Sequence, residues 1–219
     1  MSQKGNKIMT IVAFGDSITY AVGHAGVNEA ETYRHLLQTE LSEAASMAVK
    51  VINAGLNSDT TKGALARLEQ DVLRHKPDYV TIMFGVNDAG YYRPNGPVAG
   101  TPRTTKDDFR KNLRLIVERI SAMGAQPILA TPVPMSKYYW LADLPAYREH
   151  GLNYLVDEYA NVIRELAEEV NVPLIDPHRA FSENPNTQEF VPDGIHPDKT
   201  GQRLIADLFL SFFKKALRL

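Results

Sequence analysis

Asp193 and His196 stand three residues apart in VPDGIHPDKTG (191–201). In a tight loop this spacing lets a carboxylate reach Nδ1 of the same imidazole, which fixes the tautomer and leaves Nε2 free to take a hydroxyl proton. Pro197 biases His196 toward an extended backbone, and Asp198 or Lys199 then opens the last helix. A hydroxyl to match this base stands at Ser17 in AFGDSITYAVG (13–23), directly after a glycine and an aspartate where a hydrophobic run stops. Acyl transfer by such a serine also needs donors aimed at the oxygen that becomes negative, each worth roughly 3 kcal/mol to the transition state. Three candidates fit: the backbone N–H of Ser17, the N–H of Gly55, which has no side chain to screen it, and the side-chain amide of Asn87. Each residue also has a purely structural use. Ser17, Asn87 and Asp88 suit helix caps, while Gly55 and Asp193-Gly194 suit turns.

These residues can meet only if the elements carrying them converge. Runs rich in branched and aromatic residues recur at 8–15, 49–55, 78–85 and 126–132, with a weaker fifth at 172–176. They read as strands buried on both faces. Helical patterns fill the gaps at 30–47, 61–75, 106–123, 147–170 and 198–217, so β and α alternate five times. Right-handed crossovers then favour a three-layer α/β/α sandwich around a flavodoxin-like five-stranded parallel sheet in the order 2-1-3-4-5. In that order strand 1 lies about 4.8 Å from strands 2 and 3, which brings Ser17, Gly55 and Asn87 to one edge. Strand 5 lies about 14 Å away, so the segment 177–197 must carry His196 back.

Two long irregular stretches, 89–105 and 132–145, follow strands at the carboxyl edge where such sheets bind ligands. They hold Tyr91, Tyr92, Tyr138, Tyr139 and the only tryptophan, Trp140. These rings suit stacking on a sugar or flanking an acyl group, and equally suit packing the loops onto the body.

The 219 residues fit a single domain spanning 1–219, with no linker, repeat or low-complexity tract. Twenty-four basic and 26 acidic residues give a net charge of −2, which makes neither nucleic acid nor an anionic membrane a natural partner and points to a small molecule. The absence of cysteine and the short apolar run at 8–14, which flows straight into the glycine turn, suit a cytoplasmic chain. The apolar stretch 203–213 is too short to span a bilayer and carries Asp207. His24, His35, His75, His150 and His178 lack the spacing of a ligand pair and read as structural or surface residues, so no metal is expected. A nucleotide-binding protein of this fold is disfavoured, because neither a Walker loop nor G-x-G-x-x-G appears.

Four separated blocks, FGDSI, NAGLNS, GVND and DGIHP, resemble the GDSL or SGNH hydrolases, in that family's order and across residues 14–197. Ile18 stands where the family name has leucine, which keeps an apolar side chain there. The resemblance implies a serine ester hydrolase with Ser17 as nucleophile, His196 as general base and then acid, and Asp193 as orienter of the imidazole. It implies an oxyanion hole of Ser17 N–H, Gly55 N–H and the Asn87 amide, and no cofactor. Members of that family include acetylesterases acting on carbohydrates, lysophospholipases and thioesterases, and the lack of a long apolar lid in this sequence favours short-chain acyl esters, acetyl foremost, of small molecules or carbohydrates. An acyltransferase using the same triad and a catalytically silent binding module are the alternatives.

Overall fold

The computed structural model describes residues 8–219. Strands β1 (Met9–Gly15), β2 (Val49–Gly55), β3 (Tyr79–Met83), β4 (Gln126–Ala130) and β5 (Leu174–Ile175) form one parallel sheet in the order β2-β1-β3-β4-β5, as expected. The helices are α1 (Ser17–Tyr20), α2 (Tyr33–Ala45), α3 (Thr61–Asp71), α4 (Val86–Ala89), α5 (Lys106–Ala122), α6 (Pro145–His150), α7 (Tyr154–Glu169), α8 (Pro177–Ser182), α9 (Thr187–Phe190) and α10 (Lys199–Leu217). Helices α2 and α10 pack together on one side of the sheet, and α3, α5 and α7 pack in series on the other. Central strands covered on both faces need apolar side chains at successive positions. Accordingly Ile11, Val12 and Phe14 of β1 and Ile128 and Leu129 of β4 are all fully buried.

Where segments differ from expectation, the reason is local. The helix expected over 147–170 is two helices, because Gly151 adopts φ 95° and ends α6 before α7 begins. Helix α3 stops at Asp71 and continues only as a 3-10 turn, Leu73–His75, after Val72 leaves helical geometry. The return segment 177–197 is folded back by α8 and α9, with Phe181 and Val191 wholly buried. It is tied to the other long loop: Ser136 Oγ donates to the Val191 carbonyl at 2.6 Å, and Ser136 N–H donates to the Gly194 carbonyl at 3.0 Å. Gly15 pairs in register with Gly55 on one side and Met83 on the other, so the ends of β1, β2 and β3 open at one level.

Candidate active site

At the end of β1 the chain turns sharply into α1. A Cβ on Gly15 would lie 2.1 Å from Thr19 Oγ1 and 2.8 Å from the Met83 carbonyl, so only glycine permits the close approach. Asp16 caps α1 by accepting the Ile18 N–H at 2.9 Å, and Ser17 is the first helical residue. A first-turn N–H has no partner within its own helix, and that of Ser17 finds none elsewhere among the described residues. Ser17 Oγ lies 2.9 Å from His196 Nε2, and His196 Nδ1 lies 2.7 Å from Asp193 Oδ2. The other oxygen, Asp193 Oδ1, accepts the backbone N–H of Ile195 at 3.0 Å and of His196 at 2.7 Å. Burial opposes the Asp193 charge, but hydrogen bonds from the His196 ring, the His196 backbone and the Ile195 backbone outweigh it and hold the carboxyl at about 2. An ionised Asp193 accepts a hydrogen bond from Nδ1–H, leaving Nε2 as acceptor for the Ser17 hydroxyl.

Asn87 sits on α4, directly after Gly85 at φ 139°, and its Nδ2 makes a long 3.4 Å contact with Asp16 Oδ2. The next residue, Asp88, is fully buried and accepts from Thr61 Oγ1 at 2.7 Å and Thr61 N–H at 3.1 Å, which locks α4 to the start of α3. Gly55 departs from the sequence reading. Its N–H is spent on Asn53 Oδ1 at 2.9 Å, and a Cβ there would meet the Tyr20 nitrogen at 2.3 Å, so this glycine lets α1 pack against β2. The turn that follows, closed by Asp59 N–H to the Leu56 carbonyl at 3.2 Å, carries Ser58 at a left-handed φ of 58°. Its N–H has no acceptor among the described residues.

A cavity of about 310 Å³ opens over this arrangement, lined by Ser17, His24, Asn57, Ser58, Asn87, Tyr92, Trp140, Ile195 and His196. Of the five aromatic residues expected near the site, Tyr92 and Trp140 line it and meet edge to face at 5.7 Å. Tyr91 and Tyr139 are buried in the packing behind it, Tyr91 hydrogen-bonded to Tyr154, and Tyr138 is half exposed beside Lys137. His178 is structural, held between Asp157 at 2.9 Å and Arg164 at 3.2 Å. His24, Asn57, Ser58 and Ile195 line the cavity although the sequence did not mark them as site residues. Asn57 and Ser58 lie within the NAGLNS block, whereas His24 carries no local signal. A larger concavity of about 690 Å³ lies at the opposite, amino-terminal edge of the sheet and is lined by no histidine. Among the described residues no cluster of histidine and carboxylate is arranged to hold a metal ion, and no helix is long and apolar enough to cross a membrane.

Residues 13–204 match the GDSL-like Lipase/Acylhydrolase family. The chain belongs to this family. It is therefore a GDSL-type carboxylic ester hydrolase, with the parallel sheet of the SGNH hydrolases. It is 30% identical to the uncharacterized lipoprotein YqeF of Bacillus subtilis (strain 168), over 92% of this chain and 88% of that one. It is 27% identical to an acetylxylan esterase of Geobacillus stearothermophilus, over 94% of this chain and 93% of that one. Among solved structures, a lipase/acylhydrolase from Enterococcus faecalis superposes with a TM-score of 0.76 at 32% identity, covering 95% of this chain and 96% of that one.

Proposed function

We propose that this GDSL esterase, as one domain, hydrolyses short-chain acyl esters, acetyl esters foremost, of small polar alcohols such as carbohydrates. The observation that carries the reading is the continuous run from Asp193 through His196 to Ser17, with contacts of 2.7 and 2.9 Å, opening into a small cavity. Ser17 Oγ attacks the ester carbonyl while its proton passes to His196 Nε2, and the imidazolium is steadied by Asp193. The negative oxygen is received by Ser17 N–H, the Asn87 amide and, in place of Gly55, the Ser58 N–H. Collapse breaks the bond to the alcohol, which leaves with the proton from His196. Water then gives a proton to Nε2 and adds to the acyl carbon. The bond to Ser17 Oγ breaks, the proton returns to the serine, and the acid departs.

A volume of about 310 Å³ is at the small end for ligand sites, which favours a short acyl group. Asn57, Ser58, Asn87 and His24 give the walls hydrogen-bonding groups, and the exposed indole of Trp140 offers a stacking face at the rim. The similarity to an acetylxylan esterase points the same way. The test is Ser17→Ala assayed on p-nitrophenyl acetate, acetylated sugars and longer acyl esters. The expected result is a fall of roughly 10⁴-fold or more in kcat with the thermal melt preserved, and a parent enzyme that prefers acetyl to octanoyl esters. Undiminished turnover by the variant overturns the assignment, and a preference for octanoyl overturns the substrate class.

A further inference from the structure

The His196 ring is held at its two nitrogens, Nδ1 by Asp193 at 2.7 Å and Nε2 by Ser17 at 2.9 Å. With its bond to Cβ these contacts place the ring, but hydrogen bonds at a ring's edge resist tilting out of its plane only weakly, which leaves it some freedom to rock. A flat group against the ring face removes that freedom. The His24 ring lies there, with centroids 4.0 Å apart and planes within 20° of parallel. His24 is itself tethered, its Nε2 lying 3.0 Å from Asn57 Oδ1, with Tyr20 against its edge at 6.4 Å.

The backbone that delivers His24 is unusually contorted. Within 21–26 the left-handed region is occupied by Ala21 (φ 62°), Gly23 (82°), Ala25 (48°) and Gly26 (77°). Two of these are alanines, for which that region is strained, and such strain persists where the surrounding structure over-determines it, often beside a working site. The turn is closed by His24 N–H to the Ala21 carbonyl at 3.1 Å and Val27 N–H to the His24 carbonyl at 2.9 Å.

We propose that His24 is a positioning residue for the general base, acting chiefly on the second half of the reaction. The inference rests on the triad reading above. Once Ser17 Oγ is bonded to the acyl group its proton is gone, so His196 loses the contact at Nε2 and keeps only Asp193 and the stacked ring. Water must then find Nε2 aligned with the acyl carbon. Without His24 the ring tilts in this interval, and deacylation slows more than acylation.

The experiment is stopped-flow and steady-state hydrolysis of p-nitrophenyl acetate by the parent, His24→Ala, His24→Phe and Ser17→Ala, each checked by thermal melting. For His24→Ala the expected loss is about tenfold in kcat, well short of removing the base altogether. KM falls alongside it, kcat/KM changes less than threefold, and a burst of p-nitrophenol approaches one per site. His24→Phe, which restores a flat ring without the hydrogen bond, returns kcat to within threefold of the parent. Should the alanine variant melt below the assay temperature, Asn57→Ala frees the His24 ring from its other end and is expected to show a smaller burst and loss of the same sign. A kcat for His24→Ala within twofold of the parent, an equal fall in kcat and kcat/KM without a burst, or a phenylalanine variant as slow as the alanine one overturns the inference. If Ser17→Ala is dead while His24→Ala matches the parent, only the role of His24 fails. If Ser17→Ala turns over, the triad reading itself fails.

Discussion

Gly55 and Ser58 exchange the properties their residue types suggest. A glycine beside a nucleophile invites the reading that its bare N–H is the donor, yet here the missing side chain makes room for the backbone of Tyr20, and the N–H is already taken by Asn53. Ser58 has a side chain and still holds a left-handed turn position that glycine occupies with least strain. What the proposed oxyanion contact requires of Ser58 is only its backbone N–H, which any residue but proline supplies. Ser58→Gly is accordingly expected to keep kcat within about twofold. Its stability should lie within ~1 kcal/mol of the parent, because relief of the left-handed strain offsets the added freedom of the unfolded chain. Steady-state assays and urea unfolding check this. A loss of activity beyond tenfold with a native melt would show that the Ser58 hydroxyl, and not its backbone, does the work.

The element that holds the two halves of this turn region together is α3, through Arg67. Its guanidinium donates to the carbonyls of Gly15 at 2.9 Å and Ala54 at 2.8 Å and pairs with Asp59 at 2.8 Å and Asp71 at 3.0 Å. It also lies 4.6 Å above the Phe14 ring. One planar fork thus joins the ends of β1 and β2 just below Ser17. A lysine carries the charge but not the fork. Arg67→Lys is therefore expected to cost about 2–4 kcal/mol, because buried Asp59 and two carbonyls lose partners, and to lower kcat at temperatures well below its melt. Equilibrium urea unfolding reads the first effect, and a ΔΔG under ~0.5 kcal/mol would refute the strut. The strand pattern behind this arrangement was legible because central parallel strands must be apolar throughout, and Asp193 and His196 because their contact is local in sequence. The return of His196 to Ser17 followed from topology and the length of 177–197. Other features depend on tertiary direction and leave no periodic trace. The stack of His24 on His196 needs the turn at 21–26 to point inward. The division of Tyr92 and Trp140 from Tyr91 and Tyr139 needs the loops to be folded, and the break at Gly151 needs a φ that a helical pattern conceals.

Across the whole molecule, Asp16 sets stability against chemistry. It is 2% exposed at the centre of the carboxyl edge. Burial, with help from the nearby charges of Asp88 and Asp59, pushes its carboxyl up to about 7, against the opposing pull of the Ile18 N–H and His196. An unfolded aspartate titrates near ~3.9, so between about pH 4 and 7 the native state binds the proton that the unfolded chain has released. Stability contributed by this group must then fall as pH rises through that window and level off above it. Asp16→Asn removes the titration while keeping an oxygen to cap Ile18, and the amide it sets against Asn87 imposes a penalty that does not vary with pH. The stability of Asp16→Asn relative to the parent should therefore rise by on the order of 2–4 kcal/mol from pH 4.5 to 8. Urea unfolding at intervals across that range is the measurement, and parallel curves would refute the buried-acid origin. The same charge that burdens the fold above pH 7 lies close enough to His196 to favour the imidazolium formed as Ser17 attacks. The asparagine variant should thus gain stability at alkaline pH while losing kcat there, and an enzyme that gained in both would show that Asp16 serves only the cap.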